Sequence, residues 1–474
     1  MKKILLIFCL LFIAVKGFSQ QFSQYNTGTL YDSFENPSQR AFVPDTSKMY
    51  AFNFLVPNLN ASFFLTGNAQ SSLVSRAFGS KYNNSALQIG AGKYNIANAN
   101  ANAYAIMFKT FVSLNGDEEV GIFAETRGEG RGAFTDESLA LFNGPAAFPN
   151  NIYDNVLNDN YYYQVYNSIG LSYREKLTDQ FAVGFKFGVL MGIDYNKLNI
   201  YESHLSFNKA NDAAVISLRG KYYLSQGPGK LDLRSFLPTT RSPGAQISIG
   251  TSYKTEDNIT FQGNIKDLGF IKWYSNSTVN SFNGTGTVNG LSTPKREDSL
   301  YNLTHSIINS APKTGSFTSY TDSRFELSAT KSYFLDANNS IKYSPTLIAS
   351  KELMYNGFTG VMVNRFQYQK LNASLTTSYD NQNLFNVGLQ LMYKTYNGEF
   401  YIGSERLVQT AGLASAIHNS ASYANSSYTG ADFFIGFSLK FGQVIEHPLN
   451  ASIIPIGQKG FLGRLWNRLF KTYR

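Results

Sequence analysis

The stretch FAVGFKFGVLMGIDY, residues 181–195, carries an apolar side chain at every odd position and mostly Gly, Lys or Asp at the even ones. A period of two belongs to an extended strand, whose side chains leave alternately on opposite faces. The run is more than twice the length of an ordinary strand in a water-soluble domain, which averages about 5 to 6 residues. A sheet of such segments has one greasy face and one face almost free of large side chains.

The pattern recurs. QISIGTSYK (246–254), NLFNVGLQLMYK (383–394) and FFIGFSLKF (433–441) each keep one apolar parity. Further candidate strands lie at 102–112, 120–127, 163–173, 214–222, 259–266, 324–333, 341–350, 358–368, 371–379 and 400–407. Another lies at 49–65, where Pro57 marks a break or an edge. The reading is about 14 strands. Turn-rich stretches at 128–159, 225–243, 275–313 and 409–430 read as loops between them, GEGRG (128–132) as a turn, NGDEE (115–119) as a hairpin loop and the ANANANAYA run near Asn98 as a flexible edge.

Three features favour a membrane barrel over a soluble sandwich. The runs are long enough for a tilted crossing of the hydrocarbon layer. The second parity holds Gly, Ala, Ser and Asn rather than the Lys and Glu of a wet sheet face. Aromatic residues gather near strand ends, as in NYYYQVY (160–166) and KWYS (272–275), where interfacial girdles place them. No mature segment approaches the roughly 18 apolar residues of a spanning helix. The expected fold is therefore all-β: a transmembrane antiparallel β-barrel of about 14 strands with a short C-terminal amphipathic helix. Phe185, Phe187, Val189 and Met191 are expected to face lipid, and Gly184, Lys186, Gly188 and Gly192 the lumen.

The ends and the charge sharpen this. MKKILLIFCLLFIAVKGFSQ has the basic start, short apolar core and small-residue cleavage pattern of a secretory signal peptide, residues 1–19. It contains the only cysteine, Cys9, so the exported chain has neither disulfides nor thiolate metal sites. The net charge of +9 is concentrated at the termini. Lys2, Lys3 and Lys16 lie in the signal, and Lys459, Arg464, Arg468, Lys471 and Arg474 in the tail, leaving a nearly neutral body with no nucleic-acid footprint. The organisation read from the chain is an N-terminal segment at 20–48 that can enter the lumen, a barrel at 49–442 and a periplasmic tail at 443–474.

The opening QFSQYNTGTLYDSFENPSQRAF resembles that of PorP/SprF-type outer-membrane proteins, which accompany type IX secretion, through Gln21 to Tyr25, Leu30, Tyr31, Asn36 and Pro37. It departs from them in the four residues between Tyr31 and Asn36, where that family usually has one. LYDSFENPSQRAFVPDTSK and KDLGFIKW (266–273) resemble an uncharacterised family of larger outer-membrane barrels. These likenesses imply a barrel of the broad kind that includes long-chain fatty-acid channels, located in the cell outer membrane.

Catalytic and metal chemistry find little support. His204, His305, His418 and His447 are scattered without a second ligand type at metal spacing. His204 and Ser206 share a strand face, an arrangement similar to that of outer-membrane phospholipase A, but no orienting Asn and no Gly-containing serine motif accompany them. No catalytic, cofactor or metal residue is assigned, and the chain is read as a non-enzyme without cofactors. The most specific geometry is in the tail. Phe461, Leu462, Leu465, Trp466, Leu469 and Phe470 fall at helical spacing, with Arg464 and Arg468 on the other face, a pattern for resting on a leaflet, docking on a partner or capping the barrel. The expected function is passive passage of an apolar or small solute. The alternative is a non-catalytic scaffold or accessory in an envelope or type IX secretion assembly, with outer-membrane lipid and a periplasmic or secretion-system protein as partners.

Overall fold

The computed structural model describes residues 21–43, 45–79, 82–112, 117–225, 233–419, 428–446 and 460–470. The expected signal peptide, His447, Lys459, Lys471 and Arg474 lie outside the described residues, as do the side chains of His418, Leu469 and Phe470.

The strands are β1 (Lys48–Phe52), β2 (Asn58–Thr66), β3 (Tyr94–Phe111), β4 (Glu118–Thr135), β5 (Ile152–Asp154), β6 (Asn160–Lys176) and β7 (Phe181–Asn208). There follow β8 (Ala213–Leu224), β9 (Pro243–Lys254), β10 (Ile259–Trp273), β11 (Thr278–Asn289), β12 (Lys313–Thr314), β13 (Phe317–Tyr320) and β14 (Arg324–Lys331). The last seven are β15 (Tyr333–Phe334), β16 (Ile341–Glu352), β17 (Phe358–Tyr368), β18 (Leu371–Asp380), β19 (Phe385–Lys394), β20 (Gly398–Ser404) and β21 (Thr429–Val444).

Pairing runs antiparallel from β3 through β4, β6, β7, β9, β10, β14 and β16 to β21 in order, and β1 and β2 close the ring by pairing with both β21 and β3. With β1 and β2 counted as one interrupted strand, the result is a closed 14-strand barrel. Closure leaves no edge, which is the condition for a sheet in lipid. Connections at the end holding β1's start and β21's finish are short, such as residues 177–180, 255–258 and 369–370, whereas those at the other end carry helices and extra strands. Outer-membrane barrels keep short turns on the periplasmic side.

The lower half of β7 shows the expected two faces. Phe187 and Val189 are about half exposed, while Gly184, Lys186 and Gly188 are buried. The parity ends at a bulge: Val165 pairs with Asp194 but Tyr166 with Gly192, so Ile193 has no partner and Tyr195 turns inward. The interruption at Pro57 is also specific. Phe54 and Leu55 adopt left-handed φ values of 49° and 61°, and the missing ladder bonds are replaced by one buried side chain. Asn53 Nδ2 donates to the carbonyls of Val56, Tyr104 and Ala105 at 3.1–3.2 Å, and its Oδ1 accepts from Met107 N at 3.1 Å.

Several sequence expectations need correction. The segment 214–222 is a strand, β8, but it pairs with the upper half of β7 and with β11 above the barrel, not in its wall. The stretch 275–313 is not a loop: it holds β11 and the helix Arg296–Ile308. Its outward parity is Ser, Asn and Thr, so apolar alternation is nearly silent there, and Gly284 and Gly286 make room for Ile307 and Leu303. Around them Leu205, Phe207, Ile216, Leu218 and Phe282 form a separate core, so the end opposite the short turns is a folded dome. GEGRG lies within β4 with Glu129 buried and is no turn, and the Asn/Ala run is the middle of β3. Tyr162, Tyr166 and Trp273 face inward rather than forming a lipid girdle, because their partners sit inside: Tyr166 donates to Glu129 at 2.6 Å, Trp273 donates to Ser319 at 2.8 Å and Tyr162 stacks on Tyr355 with ring centroids 5.3 Å apart.

Candidate functional site

The lumen is the place where the chemistry gathers. Residues 21–43 lie within the ring, touching inward side chains of strands on every side. Their short helix Leu30–Glu35 starts at Thr29, whose hydroxyl accepts from Asp32 N at 3.2 Å. Its apolar face (Leu30, Tyr31 and Phe34) packs with Tyr104, Phe123, Met392, Tyr401 and Phe434 from the wall. Upstream, Phe22 and Tyr25 pack on Ile348, Val361 and Val363.

The rest of the grip is on main chain. Arg365 of β17 donates to the carbonyls of Asn26 at 2.7 Å, Ser23 at 3.1 Å and Tyr25. Lys394 of β19 donates to those of Thr27 and Gly28, both at 2.7 Å. Lys440 reaches Ala41 O at 2.7 Å, Lys109 Ser33 O at 3.1 Å and Arg174 Ser38 O at 2.8 Å. Carboxylates hold the amides in turn: Glu399 accepts from Leu30 N at 2.6 Å, Glu119 from Ala41 N at 3.0 Å and Glu405 from Ser23 N at 2.9 Å. The inserted segment thus has its otherwise unpaired backbone groups satisfied by the wall, which buried peptide requires.

Glycine on the inner parity is explained at the same contact. A Cβ on Gly184 would sit 1.9 Å from Pro37 O, and one on Gly250 2.8 Å from Ser38 N. The wall is bare there because another backbone passes against it.

A cluster of ions centres on Glu35. Its Oε1 accepts from Arg127 at 3.0 Å and from Tyr104 OH at 2.8 Å, and Oε2 lies 3.4 Å from Lys266. Arg127 and Lys186 are shared between Glu125 and Asp267. Lys266 lies equally close, 3.4 Å, to Glu326. Three cations thus face four carboxylates, one of which, Glu35, belongs to the inserted segment and pairs with two of the cations, Arg127 and Lys266.

Above this level the wall stays polar. Cavities of about 50 and 70 Å³ are lined by groups that include Asn60, Asn98, Asn100, Asn102, Arg131, Arg324, Glu352 and Arg406. Among the described residues, the side-chain oxygens of Asn98 and Asn102 have no hydrogen-bond partner.

The tail residues singled out from sequence do form a helix, Phe461–Phe470. Its first turn sits on the rim of β6, with Leu462 N and Gly463 N donating to Glu175 at 2.9 and 2.7 Å, and Trp466 packs against Phe181 with ring centroids 5.8 Å apart. Phe461, Leu465, Arg464 and Arg468 are exposed. His204 pairs with Asp154 at 2.6 Å on the solvent-exposed dome, and no described hydrogen bond joins Ser206 to it. His305 stacks on Tyr301. Among the described residues no cluster of three or more His, Cys, Asp or Glu is arranged to hold a metal.

Sequence reasoning placed Gly184, Lys186, Gly188 and Gly192 in the lumen and missed the other charged residues there. Their signal was available: lone charges such as Lys109, Arg365 and Lys440 sit on the parity opposite the apolar one within otherwise greasy strands.

Fold and lumen together define a closed antiparallel barrel whose interior is occupied by its own N-terminal segment. The chain belongs to DUF5723, a family of unknown function, whose match spans residues 41–405 and so begins after the residues that resemble the PorP/SprF opening. No curated protein matches the sequence. Among solved structures, the chain is similar to the Pseudomonas putida toluene transporter TodX, at 9% identity over 90% of this chain and 95% of that one, TM-score 0.42. It is also similar to a Pseudomonas aeruginosa FadL homologue, at 9% identity over 89% and 95%, TM-score 0.40. A third is the translocator domain of the autotransporter NalP from Neisseria meningitidis, at 7% identity over 84% and 90%, TM-score 0.34.

Proposed function

We propose that the protein is a passive outer-membrane channel for small polar solutes, closed in the state described by residues 21–43. The observation that carries this reading is the lining. Amides, carboxylates and guanidinium groups continue from the inserted segment toward the external mouth, and the buried side-chain oxygens of Asn98 and Asn102 lack partners. An anchor barrel is more stable with an apolar filling, since buried ions and unpaired amides are costly. A lining that is hydrated in an open state has that use for them. The same lining favours a polar solute over the apolar one expected from sequence.

The test is conductance in planar bilayers. The full chain is expected to be mostly silent, and a variant lacking residues 21–43 to conduct steadily. If the deleted variant inserts as a folded barrel yet carries no current, the channel reading fails and the envelope scaffold becomes the better one.

A further inference from the structure

Two carboxylates stand where a membrane barrel should not place them. Glu118 and Glu175 pair directly across β4 and β6, on the same parity as Val120, Ile122, Leu171 and Tyr173, which faces lipid. Like charges opposite each other on a sheet repel. They are compensated by the tail helix: its amides at Leu462 and Gly463 cap Glu175, Arg464 is attracted to Glu118, and Tyr173 OH donates to Glu175 at 2.6 Å. The helix is therefore fixed to the lipid-facing side of the periplasmic rim, with Trp466 on Phe181, a residue of the lipid-facing parity of β7.

Its free face then has a defined neighbour. Phe461 and Leu465 are 67% and 42% exposed and lie one helical turn apart, flanked by exposed Arg464 and Arg468, and the helix carries no acid. One strand turn toward the membrane centre, Phe108, Val120, Ile122, Leu171, Tyr173, Phe185 and Phe187 line an apolar groove of about 420 Å³ on the outer wall. We infer that this helix and groove form a site for an anionic phospholipid of the periplasmic leaflet, with an acyl chain in the groove and the phosphate at Arg464 and Arg468. Apolar rings at headgroup depth beside basic residues are the arrangement by which interfacial helices bind such a surface.

The inference rests on the membrane-barrel reading, and the test separates the two. Cys9 is the only cysteine. A cysteine-free parent therefore accepts a single environment-sensitive fluorophore at Leu171→Cys (wall) or Leu465→Cys (helix). Both are reconstituted in vesicles of phosphatidylcholine with phosphatidylglycerol, one of the two lipids being brominated. The expected result is quenching at both positions. At position 465, brominated phosphatidylglycerol is expected to act more effectively than brominated phosphatidylcholine, a preference that falls about fivefold for each arginine replaced in Arg464→Gln and Arg468→Gln. Quenching at 171 but none at 465 would overturn the lipid site while leaving the barrel in place. Quenching at 465 by both lipids alike, unchanged in the arginine variants, would overturn the anionic specificity. No quenching at 171 would remove the membrane barrel itself, and the site with it.

Discussion

Replacing Arg365 by Gln tests whether the inserted segment is a gate. The guanidinium is buried on the inner face of β17 and serves three carbonyls of the segment, those of Ser23, Tyr25 and Asn26. Hydrogen bonds from charged donors contribute about 1.5–3 kcal/mol each, but three on one group share a single desolvation and do not add. Gln is shorter and keeps two donors, so one carbonyl regains a partner and water reaches part of the rest. A net loss of about 3 kcal/mol in closed-state stability follows, roughly a hundredfold shift toward the open form. The assay is the open fraction of single channels in bilayers, with folding monitored by the electrophoretic shift between unheated and boiled protein. Lys at 365 should recover part of the closure, since it keeps the charge but not the fork. If R365Q is folded and as silent as the parent, while the variant lacking residues 21–43 conducts, the carbonyl clamps do not set the gate and the apolar contacts of Phe22, Tyr25, Leu30 and Phe34 do.

Three further outcomes are expected. Gly184→Val places a side chain against Pro37 O and should open the channel, whereas Gly188→Ala, whose Cβ has side-chain atoms of Ser168 and Gln246 as its nearest neighbours and no atom of the inserted segment among them, should leave conductance unchanged. Asn53→Ala orphans four backbone groups at the β1–β2 break and should lower barrel stability by about 3 kcal/mol, read as a shift in urea unfolding from lipid. In the external dome, burial pushes the Asp159 carboxyl up to about 6, although its oxygen accepts from Thr135 N at 2.9 Å. Its folded pKa lies above the unfolded one of about 3.9, so the dome loses stability as pH rises between those values and is tighter at pH 4 than at pH 7. Limited proteolysis of the dome at the two pH values checks this, and Asp159→Asn should abolish the contribution.

The wall was legible because lipid demands a two-residue period over long runs, and residues 181–191 state it without ambiguity. The dome was not, because β11 faces water outward and needs only Phe282 and Val288 among its large inward side chains. Its Thr-rich alternation looks like a loop to any reading weighted by hydrophobicity. The strand from Gly128 to Thr135 was hidden for a related reason: its charges, Glu129 and Arg131, stand on the lumen parity, the other parity holds Gly128, Gly130 and Gly132 in place of apolar side chains, and glycine in sequence signals turn and bare wall alike. The clamps were half visible, since a lone Lys or Arg on the inner parity marks a lumen partner. That the partner is main chain could be learned only from the register that brings β17, β19 and β21 to one segment.

The ions around Glu35 give that arrangement an electrical consequence. With the segment in place, Arg127, Lys186 and Lys266 face Glu35, Glu125, Asp267 and Glu326. Withdrawing the segment removes Glu35, and with it an ion-pair partner of both Arg127 and Lys266, in a newly hydrated wall. Salt screens charges in water far better than charges buried in protein, so it lowers the free energy of the opened wall more than that of the closed one. The open fraction of the parent should therefore rise with ionic strength. In Glu35→Gln the closed state already lacks these two ion pairs, so that variant should open more readily at low salt and respond less to added salt. Equal salt dependence in the two proteins would show that the ion pairs of Glu35 do not hold the segment and that the gate is set by the carbonyl clamps or the apolar contacts.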